Sequence, residues 1–142
     1  PGCAFCDWPG YHYRQHADSA SRRGLPPQSL DDQRRAAALI RGSVPGQWPV
    51  LQQSANAFYY EKLVYLASMI LRRADIEPYR VQLGELRIGI TAGLNDRQLG
   101  CNPQLPFAIK VSAWATVHAP KLWRKVCRKY LKDRQQCVFY LC

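Results

Sequence analysis

Between residues 55 and 76 the apolar positions fall into a helical rhythm. Tyr59, Leu63, Leu66 and Ile70 recur at steps of four, three and four, which places them on one face. Phe58, Val64, Ala67 and Leu71 widen the stripe, so the pattern predicts a long, largely buried helix. Ser54 stands at the expected N-cap, Arg72 and Arg73 suit the negative C-terminal end, and Pro78 closes the segment. Upstream, Ser29-Leu30-Asp31-Asp32 reads as a weak capping box, Ala36 to Ile40 continue a helix, and Gly42 is its stop. Pro45, Gly46 and Pro49 make residues 43–53 a connector.

Beyond Pro78 the alternation shortens. Tyr79, Val81 and Leu83 alternate with polar residues, as do Leu86, Ile88 and Ile90, and Gly84-Glu85 separates the two runs. That arrangement predicts a β-hairpin with a two-residue turn. Residues 92–106 are rich in turn formers, among them Gly93, Asn95, Asp96, Gly100, Asn102 and Pro103. Phe107, Ile109 and Val111 give the stretch to Trp114 strand character. Pro120 suits the first turn of a final helix over about 119–134, with Leu122, Val126 and Tyr130 in line and Trp123, Cys127 and Leu131 extending the same side. The predicted fold class is therefore α+β: a small antiparallel sheet, a long buried helix, a basic C-terminal helix and a zinc-pinned N-terminal arm.

Length and composition fit that outline. The chain has 142 residues, 47% of them hydrophobic, enough for one ordinary domain with a small appendage. The division expected is a zinc-binding arm over 1–28 and a basic α+β domain over 29–142. No apolar run approaches the length of about 18 residues that a membrane span needs. Pro1 in place of Met is expected of a processed product or a fragment, which leaves a removed signal peptide open.

Charge points to a class of partner. Twenty Lys and Arg against ten Asp and Glu give a formal net charge of +10. Neutralising a phosphate releases condensed counterions, so such a surface favours nucleic acid, with anionic membrane as the competing partner. The excess is concentrated in the last predicted helix, where Lys121, Arg124, Lys125, Arg128, Lys129, Lys132 and Arg134 are offset by Asp133 alone. Phosphate contacts are expected from Lys121, Arg124, Lys125, Arg128, Lys129 and Lys132, with Arg22, Arg23, Arg34 and Arg35 as a second patch. Trp123 and Tyr130 lie on the apolar side and read as core.

The amino-terminal segment supplies metal chemistry. Cys3, Cys6, His12 and His16 have the spacing C-x2-C-x5-H-x3-H. Thiolate and imidazole are the ligands zinc prefers, and four of them close a tetrahedral shell, which makes the expected site structural rather than catalytic. The segment is too short to form a core, so the ion would supply folding free energy. Five residues between the pairs leave no room for a ββα finger, and a distant Cys such as Cys101 could replace one His. Six cysteines also permit a secreted, disulfide-bonded reading, in any of fifteen pairings.

One stretch resembles a known family. Leu86-Arg87-Ile88-Gly89-Ile90-Thr91-Ala92-Gly93-Leu94-Asn95-Asp96-Arg97 is similar to the second half of the GIY-YIG nuclease core, where a strand ending in Ile-Gly leads through a loop to a helix carrying an essential Arg. The resemblance implies Gly89 as the motif glycine and Arg97 as the catalytic Arg, with Asn102-Pro103 and the Trp123 helix in the places of a later strand and helix. The chain departs from the family pattern in having Arg87 where the motif has Tyr, and in lacking a Glu in the final helix. No nucleophile elbow, phosphate-binding loop or paired carboxylates appear elsewhere. The function expected is thus non-catalytic DNA or RNA binding with a structural zinc, as a small intracellular subunit of a ribonucleoprotein or nucleoid-associated complex. A mobile-element nuclease and a secreted interaction protein are the alternatives.

Overall fold

The computed structural model describes residues 26–130, and these form an all-helical bundle. In chain order the elements are α1 (Pro27–Ser43), α2 (Pro49–Leu71), a 3₁₀ turn (Glu77–Tyr79), α3 (Arg80–Asn95), α4 (Phe107–His118) and α5 (Pro120–Tyr130). There is no strand among the described residues, so the expected α+β class is overturned. The arm at 1–25 and the residues after 130 lie outside the described part.

α2 is the post around which the others stand. Its buried side chains include Tyr60, Leu63, Val64, Leu66, Ala67, Ile70 and Leu71, and α1, α3, α4 and α5 all pack on it. A helix apolar over so much of its circumference is stable only when enclosed. The expected long buried helix is therefore present, but it starts earlier than its apolar stripe implied. Pro49 takes the first helical position, where a missing N–H costs nothing. Ser54 is consequently inside the helix, its hydroxyl donating to the Val50 carbonyl at 3.1 Å, rather than at its cap. The helix ends at Leu71, and Arg72 N–H and Arg73 N–H close the last turn on the Ser68 and Ile70 carbonyls.

α1 likewise opens on proline, two residues ahead of the expected Ser29. It buries only Leu30 and Ala37, two helical turns apart, and leans on α2. Polar links tie it to α3: Arg34 pairs with Glu85 at 2.7 Å, and Gln82 Nε2 donates to Asp31 Oδ2 at 3.3 Å.

The expected hairpin is a helix. Along α3 the buried positions are Leu83, Leu86, Ile90 and Gly93, preceded by Tyr79 in the 3₁₀ turn, a spacing of three and four. Val81 and Ile88, which completed the period-two alternation, are 68% and 72% exposed. The same residues therefore satisfied both periods. An isolated two-stranded hairpin is marginal in water, whereas the helix lays one continuous face on α2. Gly84, expected in a turn, is an exposed residue inside the helix. Gly89 and Gly93 serve a different end: a methyl at Gly93 would run into the Tyr60 ring, and one at Gly89 would lie 2.9 Å from Leu63 Cδ1. These two small residues let α2 and α3 approach closely.

Of the stretch 92–106 expected to be turns, residues 92–95, with Gly93 and Asn95, are the last turn of α3, and 96–106 are turns. They are pinned from inside by Leu99 and Leu105, both buried, and by Asn102. Asn102 Nδ2 donates to the Gln53 carbonyl and its Oδ1 accepts from Gln104 N–H, both at 2.9 Å. The expected strand at 107–114 is the helix α4, which buries Ala113, Ala115 and Thr116. Phe107 and Val111, two of the three residues taken as a strand face, are 81% and 42% exposed. Ser112 and Thr116 satisfy their hydroxyls on the carbonyls of Ala108 and Ser112, each at 2.7 Å. Pro120 opens α5 as expected, and Ala119 is the bend between the two helices.

Candidate nucleic-acid interface

α5 separates its side chains sharply. Cys127 is fully buried and Trp123 half-buried against the core, while Lys121, Lys125, Arg128 and Lys129 are exposed. Burial of Trp123 puts it in the core, as its place on the apolar side implied. Lys121, Lys125 and Arg128 follow one another at helical spacing on the solvent side, and none of them forms an ion pair among the described residues. Lys129 stands beside them with its ammonium 5.1 Å from the Tyr130 ring centroid. Tyr130, expected on the apolar side, is 65% exposed.

Two of the expected phosphate contacts have other work. Arg124 turns inward, and its Nη2 donates to the Ala74 carbonyl at 2.9 Å, fastening α5 to the end of α2. Arg34 is held by Glu85. Arg35 is exposed on α1, a helix that packs on α2 and α3, whereas α5 packs on α2 and α4. Arg22, Arg23 and Lys132 lie outside the described residues, as do the proposed zinc ligands Cys3, Cys6, His12 and His16. Among the described residues no group of three or more His, Cys, Asp and Glu is placed to hold a metal ion.

The electrostatic setting of α5 extends further than its own sequence. From Arg97 to Lys132 the chain contains no Asp or Glu, so α4 and α5 carry no carboxylate side chain. The described acids sit on α1, α2, the turn before α3, α3 itself and its C-cap at Asp96. Lys110 on α4 adds to this acid-free region. A count of charge along one helix misses it, but the gap between Asp96 and Asp133 is readable in the sequence.

The helix before the cation row, α4, carries exposed rings that strand-based reading hid. Phe107, Val111, Trp114 and His118 share the outer side of α4. Trp114 is 55% exposed, and its ring lies against His118 with centroids 5.2 Å apart and planes 34° apart.

Among the described residues two further concavities bear on the chemistry. A mostly apolar cavity of about 280 Å³ between α2, α4 and α5 is lined by Phe58, Val64, Tyr65, Ile109 and Trp123, with Glu61 and Lys62 also on its wall. A polar cleft between α1, α2 and α3 contains Tyr59, Tyr60, Arg41 and Gln98. There Tyr60 donates to Gln98 Oε1 at 3.2 Å, the Arg41 guanidinium lies 4.1 Å from the Tyr59 ring centroid, and burial raises the Tyr60 phenol above its ordinary value. Burial also raises the Cys127 thiol, with Arg72 partly opposing the shift. An unreactive thiol is the consequence, and Cys127 is a packing residue. His118 is exposed beside Trp114, whereas Cys127 is enclosed in the core.

The nuclease resemblance is not sustained by the fold. The residues that should form its strand are the interior of α3. Arg97 follows that helix in the left-handed region, at φ 58°, where its carbonyl accepts from Cys101 N–H at 2.8 Å. It shapes a turn instead of projecting from a catalytic helix.

Among the described residues no helix is long and apolar enough to cross a membrane. Comparison with known proteins yields no counterpart: no family model matches the chain, and neither a curated protein nor a solved structure matches it significantly.

Proposed function

We propose that this chain is a non-catalytic nucleic-acid-binding protein, working inside the cell as a small subunit of a nucleoprotein complex. The observation that carries the reading is the exposed row Lys121, Lys125, Arg128 and Lys129 on a pair of helices without a carboxylate. A helix presenting cations at regular intervals tracks a phosphate backbone, and the Arg contributes two-point phosphate geometry. Neither α4 nor α5 carries a carboxylate of its own to offset these cations, which favours an anionic partner on this side. Cys3, Cys6, His12 and His16 hold a structural zinc in this reading, giving the short amino-terminal arm a fixed shape.

Salt dependence tests it. Four phosphate contacts predict that log K falls against log salt with a slope of about −3.6 on duplex DNA and about −2.8 on a single strand. Lys125→Gln and Arg128→Gln should each reduce the slope by about one. Fluorescence anisotropy of the full chain on labelled oligonucleotides, from 50 to 300 mM salt, measures both. Binding that stays flat across that range would refute phosphate contact by α5.

A further inference from the structure

We infer that the outer face of α4 is a stacking platform, and that the nucleic acid bound beside it is single-stranded. The inference rests on the binding function just proposed and names its substrate class. Val111, Trp114 and His118 follow Phe107 by four, seven and eleven positions, which keeps all four on one side of the helix. Phe107 is 81% exposed and Trp114 55%, about two turns apart, or roughly 10 Å along the axis. Leu122 at 64% continues apolar exposure onto α5.

An unpartnered apolar stripe of this kind marks a contact surface. Its electrostatic surroundings select the partner. α4 and α5 both pack on α2 and direct their opposite sides to solvent. Cations accompany the rings in the chain: Lys110 is on the same helix, and Lys121, three residues after His118, begins the α5 row on a helix packed against α4, with no carboxylate on either helix. The occupant must be polyanionic and must also offer flat apolar faces. A single-stranded nucleic acid has both, whereas a duplex keeps its base faces stacked inside. Cations along a backbone path with aromatic rings for successive bases are the common means of holding single strands. The His118 ring braces Trp114 at 5.2 Å, so the indole is held in place before a base arrives.

The test compares full-length wild type with Trp114→Ala, Phe107→Ala and Trp114→Phe on a labelled 20-residue oligothymidylate and on a 20-base-pair duplex. Trp114→Ala should weaken oligothymidylate binding about tenfold, and Phe107→Ala about fivefold, from the usual worth of one base stack. Trp114→Phe keeps a ring and should recover most of the loss. Neither ring removes charge, so the salt slope should be unchanged. Circular dichroism should report the same helix content for every variant. Equal losses on the duplex, or no loss for either alanine variant with the salt slope intact, would overturn the stacking platform and assign the stripe to a protein contact, while leaving the phosphate-binding reading in place. Absence of any salt-dependent binding by the wild type would end both.

Discussion

Two glycines in the same helix should respond to alanine in opposite directions. Each Gly-to-Ala change inside a helix recovers about 1 kcal/mol of helix propensity. At Gly84 nothing lies within 4 Å of the added methyl, so that gain should stand alone. At Gly93 the methyl would overlap Tyr60 Cε1 and lie 2.6 Å from Cζ and 2.9 Å from Cδ1. The Tyr60 ring is poorly able to yield. It is 3% exposed, its hydroxyl donates to Gln98, and Tyr59 meets it edge-on at 5.1 Å. Overpacking of this kind costs about 1–3 kcal/mol. Gly84→Ala should therefore lie up to about 1 kcal/mol above wild type, and Gly93→Ala as much as about 2 kcal/mol below it. Urea unfolding followed by circular dichroism measures the difference at constant slope. Combining Gly93→Ala with Tyr60→Leu should show a favourable coupling of at least about 1 kcal/mol, since the clash disappears with the ring. If Gly93→Ala matched Gly84→Ala in stability, the close approach of α2 and α3 would be refuted. If Gly84→Ala were itself destabilising, the turn expected there from sequence would be right and the helix wrong.

Other consequences concern the cysteines. Cys127 has a raised pKa, so the folded state holds its proton more tightly than the unfolded state, in which the ordinary value is 9.0. That contribution is complete below about pH 9 and is lost as pH climbs through the higher folded value. The urea midpoint should drop as pH rises above 9, and the drop should be smaller in Cys127→Ala; an identical pH profile would contradict burial of the thiol. In native protein a thiol reagent should modify exposed Cys101 quickly and Cys127 only at the rate of unfolding. Native mass spectrometry should find one zinc per chain, lost in Cys3→Ser and His16→Ala; a metal-free chain with Cys3 and Cys6 oxidised would remove the zinc from the proposal.

Period and small residues explain which elements were legible. α2 and α5 were found because each couples apolar residues at helical spacing with proline near its ends, and α1 because a capping box at Ser29 and a stop at Gly42 bracket the run Ala36 to Ile40. α3 and α4 were read as strands because apolar side chains occur on both their sides. Val81, Ile88, Phe107 and Val111 face solvent, yet they complete an alternation with residues that face the core. The buried side of α3 includes Gly93, and the buried residues of α4 are the small Ala113, Ala115 and Thr116, so large apolar residues do not mark the whole buried side of either helix. Missing those helices also hid the ring stripe, since a strand would have spread the same residues along an edge.

Taken alone, the amino-acid order settled the positive excess, the carboxylate-free stretch before Asp133, the four amino-terminal zinc-type donors and the identity of the central helix. These depend on residue type and local spacing, which folding does not alter. Only the three-dimensional arrangement decided that Arg124 and Arg34 are tied internally, that Tyr60 needs a glycine opposite it, and that Trp114 stands in solvent against His118. Those outcomes depend on which side of each helix meets α2, and that choice is made by shape: the bundle closes where small residues admit a neighbouring ring and leaves outside whatever the central helix has no room to cover.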